Sequence, residues 1–186
     1  MTEMPAHKDL ETLNAGLFEI TQAPDDNGTL GLIVTRPAAG ERVVREEGRL
    51  TTHDGLEGDN WRQRTTSRTG DVEPQTDNQV TLMNIRVVRL LDDDAARWPL
   101  AGDQLYVDLN LSDDNIPAGQ RLRIGEAIVE VSALPHTGCR QFAERFGADA
   151  MRFVNSEDGK RLHLRGINTR VVQDGSIRNG DAVVKL

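Results

Sequence analysis

Apolar and polar residues alternate along much of the chain, and the alternation is clearest in its second half. "DQLYVDLNLS" carries Leu105, Val107, Leu109 and Leu111 on every other position, a period of two that predicts a half-buried strand. "QRLRIGEAIVEVSAL" places Leu122 and Ile124 before a Gly125-Glu126 break, and Ala127, Val129 and Val131 on one face after it, which predicts a hairpin. "LGLIVTRPAAGERVV" predicts another, two runs rich in Val and Ile around a turn punctuated by Pro and Gly. The final segment, "GINTRVVQDGSIRNGDAVVKL", alternates again and holds Asp174-Gly175 and Asn179-Gly180, both hairpin-turn dipeptides.

Elsewhere the period changes. A strand is predicted from Gln79 to Met83, after which Ile85, Val88 and Leu91 recur at helical spacing behind Asn84, a suitable N-cap. "CRQFAERFGADAMRFV" sets Phe142, Phe146, Ala150 and Phe153 on one side, the stripe of an amphipathic helix. Residues 48–78 are rich in Gly, Thr, Asp, Asn and Arg with almost no periodicity, and predict a long irregular loop. Many short strands with only two evident helices predict a mainly β fold with a few helices (α+β), a β-barrel or strongly bent sheet decorated by helices.

A chain of 186 residues with 37% hydrophobic content suits one domain with a terminal extension. Thirty acidic against twenty-two basic residues give a net charge of −8, which disfavours nucleic acid as a partner. The opening "MTEMPAHKDLETLNAG" has no apolar signal-like core, and no stretch approaches the roughly 18 apolar residues of a membrane span. A cytoplasmic protein with no membrane contact is therefore expected. The part from Cys139 onward is locally basic, at +3 against −11 for the first 138 residues.

Cys139 is the single cysteine, so no internal disulfide can form. It sits in "SALPHTGCRQF", where the strand pattern yields to the helical one. A thiol in a first helical turn beside cations favours its thiolate, and Thr137 is the expected cap, with His136 and Arg140 as neighbours. A buried structural cysteine is the alternative from local sequence. A thiol hydrolase would need one of His53, His136 or His163 as base, and spacing selects none. A protein-built metal site lacks paired ligand spacing, and "GLEGD" has neither a P-loop lysine nor a dinucleotide fingerprint.

Four pieces taken in order resemble the MOSC family, named for the C-terminal domain of molybdenum-cofactor sulfurases. They are "GLEGD" at 55–59, "NQVTLMN" at 78–84, "IPAGQRLRIGEAIVEVSALPHTGC" at 116–139 and "RGINTRVVQDGSIRNGDAV" at 165–183. Two departures accompany the match: "NWRQRTTSR" follows Asp59 where many relatives have a basic or histidine-containing stretch, and "GDQL" at 102–105 stands for a Gly-Glu-Asn-Leu-like element. The resemblance implies a MOSC-type β-barrel over residues 30–184, with 1–29 as an N-terminal extension and first strand region. It further implies a molybdenum–pterin cofactor whose metal is held by Cys139, the residue also expected to carry the catalysis, or else a Cys139 persulfide acting as sulfur carrier.

Standalone bacterial members that this chain resembles are associated with reduction of N-hydroxylated bases and related N-oxygenated compounds. A molybdenum-dependent oxidoreductase is thus implied, with an external electron-donating reductase and a small N-hydroxylated substrate as partners. The non-catalytic alternative is a sulfur-carrier or cofactor relay module with a sulfur donor as partner. His136, Thr137, Arg140, Arg165 and Asp59 are the expected cofactor-binding residues, and Lys160 and Arg161 further candidates for a pterin phosphate. No room remains for the pyridoxal-phosphate lyase domain of full-length sulfurases, so that cofactor is not expected.

Overall fold

The structure, a computed structural model, describes residues 7–64, 70 and 75–186. Among these, seven strands close into a barrel: β1 (Gly28–Thr35), β5 (Val80–Asn84), β6 (Leu105–Asp108), β7 (Arg121–Ile124), β8 (Ala127–Val131), β9 (Ile167–Gln173) and β11 (Ala182–Lys185). The ring runs β1–β11–β7–β8–β9–β5–β6 and back to β1, with β5–β6 its one parallel pair. β2 (Val43–Arg45) hangs on the outer side of β1. A smaller sheet joins β10 (Gly175–Arg178), β3 (Glu47–Thr51) and β4 (Gly55–Leu56).

Period-two alternation divides the strands between two cores. Leu30, Ile33, Leu82, Leu105 and Val107 belong to the barrel interior, while their neighbours Val34, Met83 and Tyr106 face a second core outside it. The outer core is covered by helices α1 (Leu10–Ala15), α2 (Leu17–Thr21), α3 (Ile85–Leu91), α4 (Arg140–Phe146) and α5 (Ala148–Asn155). A last helix, α6 (Glu157–Arg161), follows with Ser156 as its cap. Leu13 and Ile20 from α1 and α2 are buried in this layer, so the residues before β1 pack on the barrel.

The predicted hairpins β1–β2 and β7–β8 are present, and Asn84 caps α3 by accepting from the Arg86 amide at 2.9 Å. Three expectations need correction. Asp174-Gly175 and Asn179-Gly180 close no hairpin, because β10 leaves the barrel to pair with β3 and β11 returns to pair with β1 and β7. The stretch read as an irregular loop from 48 contains β3 and β4, too short and too polar to show a period; residues 65–69 and 71–74 of it lie outside the described residues. The amphipathic stripe from Phe142 to Phe153 is buried as expected, but Gly147, at φ 96° and ψ 161°, breaks it into α4 and α5.

Candidate functional site

Strand directions bring five chain segments to one mouth of the barrel. Antiparallel pairing sets the end of β1 beside the start of β6, and the end of β8 beside the start of β9; the parallel β5 begins where β6 begins. Arg36 follows β1, Asp103 precedes β6, the loop 132–139 leaves β8, and Arg165 precedes β9. Arg36, Arg165 and residues 134–137 and 139 of that loop line a cavity of about 410 Å³, with Asp103 behind its wall.

The loop carrying Cys139 is pinned from both sides. The Asn168 amide group donates to the Leu134 carbonyl at 3.0 Å, and the Asn168 carbonyl accepts from the Ser132 amide at 2.9 Å. On the helical side the Asn155 side chain accepts from the Gly138 amide at 2.8 Å and donates to the Gly138 carbonyl at 3.1 Å. A side chain at Gly138 would press on the Val154 and Asn155 side chains, so the grip is tightest with glycine there. Cys139 itself is the N-cap of α4, in place of the expected Thr137, because helical geometry begins only at Arg140. Its backbone is extended, its thiol makes no capping bond, and it is exposed on the cavity wall.

Five arginines line the same cavity: Arg36, Arg42, Arg64, Arg145 and Arg165. Among the described residues no Asp or Glu lines it, although two carboxylates stand behind the arginines. Asp59, wholly buried, accepts from the Arg36 backbone amide at 2.9 Å, from its Nε at 2.8 Å and from its terminal nitrogen at 2.8 Å. It also accepts from the Trp61 amide at 2.9 Å, while Arg36 donates onward to the Gly102 carbonyl at 2.9 Å. Asp103, equally buried, accepts from Arg165 at 2.6 Å; Arg165 also donates to the Ala101 carbonyl at 2.9 Å and stacks over Phe142 at 5.0 Å.

Several polar atoms here have no hydrogen-bond partner among the described residues: Nε of Arg42 and of Arg165, Nδ1 of His136 and Oδ1 of Asp103. His136 Nδ1 stands 3.6 Å from Asp103 Oδ1, too far for a hydrogen bond. Burial, followed by the nearby Arg165 and Arg36 charges, holds the His136 imidazolium well below the usual histidine range. Burial raises the Asp103 carboxyl, and the Arg165 guanidinium pulls it partly back. Arg42 is pushed below its ordinary range by burial, then by Arg145 and Arg36. Its guanidinium donates to the Glu41 carbonyl at 2.6 Å but leaves Nε without a partner among the described residues, and it is crowded by like charge, a condition that an anion in the cavity would relieve.

The expected site residues fall into three groups. His136, Thr137, Cys139 and Arg165 line the cavity. Asp59 does not line it but anchors Arg36, which does. Arg140 lies outside it, 92% exposed and paired along α4 with Glu144 at 2.9 Å. Of the further phosphate candidates, Lys160 lines a neighbouring cavity and Arg161 pairs with Asp158 at 3.1 Å. Sequence reading passed over Arg36, Arg42, Arg64 and Arg145. Arg145 had a signal, a cation on the helix of Cys139 off its apolar stripe; the others reach the mouth only through long-range pairing.

The description "MOSC domain" is that of the family model matching residues 77–184, more than half of the chain. The chain belongs to the MOSC domain family. Solved structures agree on the fold of this MOSC domain. The YUAD protein from Bacillus subtilis aligns with a TM-score of 0.63 at 14% identity, over 86% of this chain and 95% of that one. YiiM from Escherichia coli aligns at 0.54 and 18% identity, over 85% and 69% of the two chains. YiiM from Geobacillus stearothermophilus gives 0.51 and 16%, over 87% and 74%. No curated protein matches the chain. Among the described residues no helix is long and apolar enough to cross a membrane, and no cluster of three or more His, Cys, Asp or Glu is placed to hold a metal.

Proposed function

We infer that this MOSC domain binds a molybdenum–pterin cofactor in the arginine-lined cavity, with Cys139 supplying the protein ligand to the metal. The observation that carries this reading is the pairing of the chain's single thiol, exposed on a cavity wall, with five guanidinium groups and no lining carboxylate among the described residues. The donor set suits the group. A soft thiolate matches a redox-active metal whose remaining sulfurs come from the pterin, and the Arg42 and Arg165 guanidiniums, each with an unpartnered Nε among the described residues, suit its phosphate. Family membership supports the same reading.

When bound, the cofactor supplies two-electron chemistry, by which an N-hydroxyl group is reduced to amine and water with two protons and electrons from an external reductase. The protein's part is positioning and charge. Asn155 and Asn168 hold the Cys139 loop, Asp59 fixes Arg36 through two guanidinium bonds, and Asp103 fixes Arg165. Thr137 and a neutral His136 offer uncharged hydrogen-bonding groups between these cations. A second reading, a sulfur carrier or cofactor relay, is favoured by the exposure of Cys139, which leaves its sulfur open to a partner protein.

Protein isolated from a host that makes the cofactor separates these readings. Wild type is expected to retain molybdenum and pterin through gel filtration, and the charge reversal Arg42→Glu to lose both. Retention unchanged in Arg42→Glu, or absent from wild type, would overturn the cofactor reading. Reductase-coupled turnover of a hydroxylamine supports the enzyme, whereas bound cofactor without turnover, or a persulfide on Cys139 by intact mass, supports the relay.

A further inference from the structure

A second cavity of about 550 Å³ lies across the loop from the first, sharing the wall of residues 134–137 and Asn168. Its character differs. Val131 and Ile167 are buried in its floor, and Ala118, Ala133, Pro135 and Leu134 form apolar walls. Leu134 is 46% exposed, one of few large apolar side chains so open among the described residues. A concave apolar cup of this size is the usual form of a small-molecule site, with a few polar groups setting orientation.

Two features define what would fit. His163 is held at φ 49°, a left-handed backbone unusual outside glycine, and its ring is clamped on both sides. Nδ1 donates to the Leu111 carbonyl at 2.6 Å, and Nε2 lies 2.8 Å from the Asp113 carboxylate. With both nitrogens turned toward these oxygens, the ring has its carbon edge and face to give the cavity, a surface suited to a flat aromatic group. Asp113 also lines the cavity, with its carboxylate facing His163. Lys160 lines the same cavity, and its ammonium has no partner among the described residues.

We propose that this cavity is a binding site for an aromatic carboxylate, its ring against Leu134, Ile167 and the His163 imidazole and its charge on Lys160. The site does not depend on the cofactor reading. Lys160 is solvent-exposed, so its role is charge selection, and the apolar cup supplies most of the affinity.

The test uses protein purified without cofactor and three probes of one shape, 2-naphthoate, naphthalene-2-carboxamide and 2-naphthylmethylammonium, followed by NMR of assigned amide and methyl groups. Saturable 2-naphthoate shifts are expected at Val131, Leu134 and Ile167, with naphthoate binding roughly fivefold tighter than the carboxamide. Lys160→Glu is expected to invert the order, so that the ammonium compound binds more tightly than naphthoate. The proposal is overturned by no saturable binding at millimolar probe. It is equally overturned by naphthoate shifts confined to Arg42, Arg145 and Arg165, or by an affinity order that Lys160→Glu leaves unchanged.

Discussion

Removing the Asp59 carboxylate tests whether the arginine cavity is a built charge arrangement. In Asp59→Ala, the Arg36 guanidinium, only 7% exposed, loses both of its carboxylate bonds, and the buried amides of Arg36 and Trp61 lose their acceptor. Breaking one side of a buried ion pair costs about 3–5 kcal/mol. Against a domain stability of about 5–15 kcal/mol, that is a large fraction of the whole. Part of the loss comes from the stranded cation, so it should diminish when Arg36 is also replaced. Urea unfolding of wild type, Asp59→Ala, Arg36→Met and the double variant closes a thermodynamic cycle. A coupling of about 2–3 kcal/mol is expected, at the upper end for contacting residues. A coupling below about 0.5 kcal/mol, the level of exposed pairs, would refute the argument that Asp59 acts by fixing Arg36.

Other outcomes follow from the same contacts. His136 has a folded-state pKa held below its unfolded value, so the unfolded chain takes up the proton first. Stability should fall as pH drops below about 6.5, by at most roughly 1.4 kcal/mol per pH unit, and urea midpoints of His136→Asn should lack that component; identical pH profiles would count against the assignment. Arg165→Lys keeps the charge but not the fork that spans Asp103 and the Ala101 carbonyl or the stacking on Phe142, so its thermal midpoint should fall well below wild type rather than match it. A side chain at Gly166, where φ is 105°, would collide with the Leu82 carbonyl; Gly166→Ala should therefore lose more than the roughly 1–3 kcal/mol of backbone strain alone, measured by urea unfolding.

The barrel was readable in the sequence because its strands are two-faced: alternation at 105–111 and 121–131 reports side chains divided between the interior and either solvent or the helical layer. Cys139 was readable for another reason, a lone thiol at a change of period. The partner of β10 was not, since turn dipeptides such as Asn179-Gly180 specify a local bend and say nothing of which strand lies beyond it. Nor was the arginine cluster. Arg36 and Arg42 look like ordinary surface charge until strand order gathers them beside Arg165, which the family resemblance had singled out, and Asp59 meets Arg36 only through tertiary folding. Arg140, next to the cysteine in sequence, turns outward because helix geometry directs its side chain toward Glu144.

Molybdenum K-edge X-ray absorption of the protein isolated from a cofactor-producing host tests the central claim most directly, because it counts the sulfur atoms around the metal. Cys139→Ser retains the arginine cavity and so is expected to keep part of its cofactor, with one sulfur fewer at the metal than in wild type. An unchanged sulfur shell in Cys139→Ser would show that Cys139 is not the ligand and would contradict the account.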